Sequence, residues 1–137
     1  MMRKVLVFGT FDIFHEGHWD FLKQARLYGE FLRVVVARNI TVLNVKGHTP
    51  RFSEGERVNE IKKSGLADEV VLGSLNDRYE VVRKFKPDII CLGYDQKQSI
   101  AELRRKLNET GLERTKIIRL KSYHPEKYKS SILRNIS

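Results

Sequence analysis

One loop concentrates the residues that can handle phosphate. It reads Gly9-Thr10-Phe11-Asp12-Ile13-Phe14-His15-Glu16-Gly17-His18. An apolar, β-rich run precedes it and a stretch of helical periodicity follows. Backbone N–H groups at a helix N-terminus make a ready anion site. Gly9 and Gly17 let backbone approach a ligand closely. His15 and His18 lie three apart, so both fall on one helix face. Two imidazoles placed there can donate hydrogen bonds to phosphate oxygens as charge builds in a transition state. Taken alone, an H-x-x-H pair reads more simply as a structural histidine, and two histidines are too few ligands for a metal. A second segment, Leu92-Gly93-Tyr94-Asp95-Gln96, also follows an apolar run. Asp95 there can accept from ribose hydroxyls or a base amine, or can serve as an ordinary turn residue.

These loops need a scaffold, and the chain supplies one. Apolar runs at 4–8, 31–37, 69–72, 88–92 and 115–120 read as strands. Helical patterns run from Trp19 to Tyr28-Gly29, from the Ser53/Glu56 capping box to Ser64-Gly65, over 78–85, over 99–110 and over 130–136. Residues 38–52, with Asn39, Asn44, Gly47 and Pro50, read as a loop. Strands that alternate with helices imply parallel pairing with right-handed crossovers. The runs are apolar almost throughout, as in strands covered on both faces. The expected fold is therefore a Rossmann-like, doubly wound α/β sheet of about five parallel strands with helices on both faces. Its ligand belongs beyond the carboxyl ends of the strands, where residues 9–18, 38–48, 73–78, 93–98 and 121–131 fall.

Composition narrows the class. At 137 residues the chain is expected to be one domain, 1–137. Hydrophobic residues make up 41% and charged residues 31%, with three prolines and nine glycines, which excludes disordered and collagen-like classes. No apolar run approaches the roughly 20 residues of a membrane helix, and the N-terminus lacks a signal-peptide pattern. The single cysteine, Cys91, fits a reducing, cytoplasmic setting. The net charge is +9, and residues 100–137 hold ten basic against four acidic side chains. Such a field attracts polyanions or phosphorylated small molecules, or is a solvated surface without a role.

The Gly9–His18 loop resembles the G-T-F-D-x-x-H-x-G-H signature of the cytidylyltransferase-like nucleotidyltransferases and matches it at every specified position. The resemblance implies transfer of a nucleoside monophosphate onto a phosphate with no covalent intermediate. It assigns His15 and His18 to the triphosphate and the pentacoordinate α-phosphate. Lys46-Gly47-x-x-Pro50 resembles the family's lysine loop, which gives Lys46 a phosphate to bind. Glu56-Arg57-x-x-x-Ile61 resembles a helix whose arginine, here Arg57, faces the site. Tyr123 and Tyr128-Lys129-Ser130-Ser131 stand where the family has R-T-x-G-I-S-T-T. Ser130 and Ser131 would open the last helix toward the β- and γ-phosphates. The arginine of that motif is missing, and Lys127 and Lys129 offer point charges in its place.

Val36-Ala37-Arg38, Lys46-Gly47, Leu72-Gly73-Ser74-Leu75, Leu92-Gly93-Tyr94-Asp95-Gln96 and Tyr128-Lys129-Ser130-Ser131 together are similar to the archaeal-type FAD synthases, a branch of that family. The implied reaction transfers AMP from ATP to FMN and releases pyrophosphate. His15, His18, Lys46 and Ser131 then stabilise charge, while Gly9, Thr10, Phe11, Gly17, Arg57, Asp95, Tyr123 and Ser130 position the nucleotide. A divalent ion, Mg²⁺ by preference, bridges triphosphate oxygens, with Asp12 read either as its outer-sphere partner or as a loop cap. A flavin also needs a flat apolar slot, and Phe11, Phe14, Phe52, Tyr123 and Tyr128 lie on loops at that edge. Family members are often dimers, so the resemblance extends to a homodimer. Two alternatives stand: a cytidylyltransferase acting on glycerol-3-phosphate or another phospho-alcohol, and a basic nucleic-acid-binding module. Against the latter, no stacking-aromatic array or recognition-helix motif is visible.

Overall fold

The computed structural model describes residues 2–96 and 99–122. Five strands form one all-parallel sheet: β1 (Lys4–Gly9), β2 (Phe31–Val36), β3 (Glu69–Leu72), β4 (Ile89–Leu92) and β5 (Lys116–Arg119). Their spatial order is β3-β2-β1-β4-β5. Val5 pairs with Leu32 on one side and with Ile89 on the other. The order reverses between β1 and β4, so the crevice at the sheet's carboxyl edge opens between the loops that follow those two strands. Side chains of β1 alternate between two cores. Val5 and Val7 join Leu22, Ala25 and Ile61 on one face. Leu6 joins Val82, Phe85, Leu103 and Leu107 on the other. Both faces are thus covered, and all four residues of β4 are buried.

Helices α1 (Glu16–Arg26) and α3 (Glu54–Ser64) supply the first core. Helices α4 (Glu80–Phe85) and α5 (Ile100–Glu109) supply the second. Ser53 caps α3 through the expected reciprocal box: Glu56 N donates to Ser53 Oγ, and Ser53 N donates to Glu56 Oε1. None of the described helices is long and apolar enough to cross a membrane. The expected helix over 130–136 lies outside the described residues.

One expectation fails. Residues 38–52 are not simply a loop, because Asn39–Lys46 forms an additional helix, α2. Its signals are faint. Arg38 gives it no side-chain cap, Val42 is its single buried residue, and Ile40, Leu43 and Val45 are exposed. No amphipathic stripe announces it. Gly47, expected as a loop residue, is its stop: φ is +82°, the left-handed conformation glycine adopts without penalty.

Candidate active site

The H-x-x-H spacing turns out to be the spacing of a helix cap. His15 is the N-cap of α1 and His18 is its third residue. Gly17 N donates to His15 Nδ1 at 3.0 Å, and His15 N lies 3.4 Å from His18 Nδ1. Two imidazoles thus perform what Ser and Glu perform in an ordinary capping box. The consequence is chemical. An imidazole whose Nδ1 accepts carries its proton on Nε2 when neutral. Each ring therefore holds its N–H donor on Nε2, beside the positive end of a helix dipole.

The electrostatics keep these rings neutral. Burial pushes His18 down to about 3, helped by His15 and Lys46 and opposed by the Ile13 carbonyl and Asp12. Burial also lowers His15, with Asp95 acting against it. The rings stack with centroids 4.0 Å apart. Phe14 stacks on His18 at 5.6 Å, and Phe11 meets it edge-on at 5.3 Å. The site thus begins as a pair of stacked neutral donors.

Thr10 links this loop to α2. Lys46, the last residue of α2, donates to Thr10 Oγ1 at 3.3 Å. Asp95 reaches the same neighbourhood from the turn after β4, close enough to act on His15. That turn is braced on both sides. Gln96 accepts from Gly93 N at 2.8 Å and donates to the Phe8 carbonyl at 2.7 Å. Arg119 donates to the carbonyls of Gly93 and Gln96 at 3.0 and 2.6 Å. Gln96 stands in the sequence motif without a role. Arg119 carries no sequence signal, since a basic residue at a strand end ordinarily reads as solvated.

The placement of the side chains corrects or narrows three expected roles. Arg57 does not face the open edge. It is 1% exposed, and its guanidinium donates to the carbonyls of Thr10, Ala37 and Phe52 and to Asn39 Oδ1 at 2.7–3.2 Å. It holds protein carbonyls where a nucleotide ligand was expected. Phe11 is a core residue, 4% exposed, with its ring lying against Gly9. It therefore offers no face for a flavin to stack on. A Cβ at Gly9 would sit 2.6 Å from that ring, so a larger residue there would have to displace the Phe11 side chain. Phe11 itself has φ of +53°, a costly conformation for a bulky residue. Asp12 is buried, and its two oxygens accept from Arg51 N and Phe52 N at 3.0 and 3.1 Å, which makes it a loop cap. Phe52 is exposed and Phe14 is partly buried.

The structure thus gathers Thr10, His15, Gly17, His18 and Lys46 at the ends of β1 and α2, with Asp95 alongside. Tyr123, Tyr128, Ser130 and Ser131 lie outside the described residues.

A parallel sheet that reverses at β1/β4, with a two-histidine helix cap at the reversal, is the frame of a nucleotidyl-transferring enzyme. The sequence model described as cytidylyltransferase-like matches residues 6–136, and the chain is a nucleotidyltransferase belonging to that family. Among curated relatives, an FAD synthase of Thermoplasma volcanium is 41% identical over 97% of this chain and 92% of its own length. An FAD synthase of Methanothermobacter thermautotrophicus is 45% identical over 81% of this chain and 75% of its own. The crystal structure of the lipopolysaccharide core biosynthesis protein from Thermoplasma volcanium superposes with a TM-score of 0.85 at 42% identity, covering 90% of this chain and 99% of that one. A pantoate-beta-alanine ligase from Francisella tularensis shares the fold at a TM-score of 0.72 and 16% identity, over 99% of this chain and 66% of that one.

Proposed function

We infer that the chain is an FAD synthase, with residues 1–137 acting as one nucleotidyltransferase domain. The observation that carries this reading is the 41% identity to a curated FAD synthase along nearly the full length of both chains. In the reaction, an FMN phosphate oxygen attacks the α-phosphorus of ATP. A new P–O bond forms, the bond between the α-phosphorus and its bridging oxygen breaks, and pyrophosphate leaves with that oxygen. A phosphate monoester is largely dianionic near neutral pH, so the nucleophile needs no general base.

What the reaction does need is stabilisation of charge on the phosphoryl oxygens. The Nε2–H groups of His15 and His18 supply neutral donors, the α1 N-terminus adds its dipole, and Lys46 adds a full positive charge. In the nucleotide-free protein each ring is neutral and presents one N–H, and the negative charge of bound triphosphate draws the rings toward the imidazolium. Asp95 serves the ribose or base. Ser130 and Ser131 complete the phosphate contacts in this reading, and Tyr123 positions the nucleotide.

The donor set bears on the divalent ion. Among the described residues no three His, Cys, Asp or Glu side chains gather as a metal site, and Asp12 is engaged with two amides. That suits an ion carried in by the triphosphate. Mg²⁺ keeps several waters and takes most of its other ligands from phosphate oxygens. Bound there, it neutralises charge on the triphosphate. ATP and FMN are the small-molecule partners; the family resemblance adds a homodimer, and the single cysteine fits a cytoplasmic setting.

The test supplies ATP or CTP against FMN or glycerol-3-phosphate and follows pyrophosphate release. ATP with FMN is expected to give the largest kcat/KM, with FAD as product. A tenfold preference for CTP with glycerol-3-phosphate, about 1.4 kcal/mol, would reject this substrate assignment and leave the nucleotidyltransferase class intact.

A further inference from the structure

We propose that Arg57 is a positioning residue that delivers Lys46 to the phosphate site by fixing both ends of the path between them. The inference rests on reading Lys46 as a phosphate contact. Arg57 sits in the first half of α3, four residues before the fully buried Ile61. Its Nη1 donates to the Thr10 carbonyl and to the Ala37 carbonyl, each at 2.8 Å. Its Nη2 donates to Asn39 Oδ1 at 2.7 Å. Thr10 belongs to the histidine loop, and Asn39 is the first residue of α2. A second contact secures the same residue, since Asn39 N donates to Glu54 Oε1 at 2.9 Å.

The geometry closes a circuit. From Asn39, α2 runs eight residues, about 12 Å at 1.5 Å per residue, and ends at Lys46. Lys46 then donates to the hydroxyl of Thr10, the residue whose carbonyl Arg57 holds. One planar fork thus sets the start of α2 and the loop that its end must reach. Only a guanidinium presents several donors at fixed angles in this way; an ammonium at the same place carries the charge without the register. Arg38 also ties the start of α2, donating to the Gly73 carbonyl at 2.7 Å and pairing with Glu54, but α2 has no side-chain cap from its N-cap residue and a single buried residue.

Positioning through Lys46 predicts a specific non-additivity. Residues that act through one contact do not lose it twice, whereas independent structural effects multiply. The experiment measures kcat/KM for FAD formation, and thermal unfolding alongside, in wild type, Arg57→Lys, Lys46→Ala and the double variant. Arg57→Lys is expected to lose roughly tenfold and Lys46→Ala more, with the double variant no worse than Lys46→Ala within about twofold. If the double variant falls by the product of the single losses, Arg57 does not act through Lys46 and the proposal fails. It fails equally if Lys46→Ala keeps full activity, while FAD formation by the wild type keeps that outcome separate from the assignment of function. Should Arg57→Lys not fold, Asn39→Ala removes only the grip on α2 and is read by the same cycle. Loss there in the wild-type background but not beside Lys46→Ala upholds the proposal, and equal loss in both overturns it.

Discussion

Asp12 and Arg57 grip one residue from its two sides. The amide of Phe52 donates to Asp12 Oδ1 at 3.1 Å, and the carbonyl of Phe52 accepts from Arg57 Nε at 3.2 Å. Asp12 takes the amide of Arg51 as well. A buried carboxylate and a buried guanidinium thus join the histidine loop to the start of α3 through the peptide between them. Burial lowers the Arg57 pKa, and the nearby Asp12 and Glu54 carboxylates act against that lowering.

Asp12→Ala removes both acceptors and leaves Arg57 with less compensation. The expected cost is about 2–4 kcal/mol of stability, read by urea unfolding, with activity falling because the histidine loop loses its tie. The contrary outcome is unchanged stability together with a raised requirement for Mg²⁺. That result would assign Asp12 to the metal rather than to the loop.

His18→Asn tests the donor role. Asparagine can still accept from the His15 amide, so the cap survives, but the Nε2–H is lost. We expect kcat to fall about a hundredfold while ATP binding, followed by calorimetry, changes little. Near-full turnover in a natively folded variant would remove His18 from the chemistry.

The strands were legible because both faces are covered, so burial left nearly continuous apolar runs such as Phe31-Leu32-Arg33-Val34-Val35-Val36, broken only by Arg33. The histidine loop was legible as a motif, and its capping geometry was implicit in the three-residue spacing. What escaped the sequence was buried polarity. Arg57 and Asp12 carry charge, and their types placed them toward a ligand or a loop amide without showing which backbone groups their buried side chains hold. The brace of Gln96 and Arg119 joins residues 23 positions apart and has no local signature. α2 escaped for the opposite reason: its apolar residues face outward, so its hydrophobic pattern is not that of a packed helix.

Cys91 is fully buried in β4, and burial alone pushes its thiol up to about 12. A thiol so placed is a small core residue and a poor nucleophile. Cys91→Ala should keep its activity and lose about 1 kcal/mol of stability. Iodoacetamide should label the protein in urea and spare it when native, as mass spectrometry reads directly. Rapid labelling of the native protein with loss of turnover would contradict this.

Removing divalent ions should abolish turnover, and Mg²⁺ should restore it. Near the α1 N-terminus, the described loops gather Lys46 and two neutral imidazoles, the cationic and donor groups that the proposed reading assigns to the triphosphate. A triphosphate carries several negative charges, so the ion must supply the balance. Titrating Mg²⁺ after EDTA treatment checks this, and full activity in metal-free buffer would overturn it.

The neutral state of His18 also has a signature in stability. Its folded-state value of about 3 lies below the ordinary 6.5. Between those limits the unfolded chain binds the proton and the folded chain does not. Stability therefore rises with pH across this window: the contribution is complete above pH 6.5 and is lost as pH falls toward about 3. From pH 7 to pH 5 the wild type should lose about 2 kcal/mol through this group. Other groups titrate as well, so the informative quantity is a difference. His18→Asn cannot take up the proton in either state, and its stability should fall by that much less between the two pH values. Urea unfolding of both proteins at pH 7 and pH 5 gives the comparison, and equal losses would mean that His18 takes up its proton in the folded protein over the same pH range as in the unfolded chain. Bound triphosphate would favour the imidazolium and raise the folded-state value, so saturating nucleotide should narrow the difference between the two proteins.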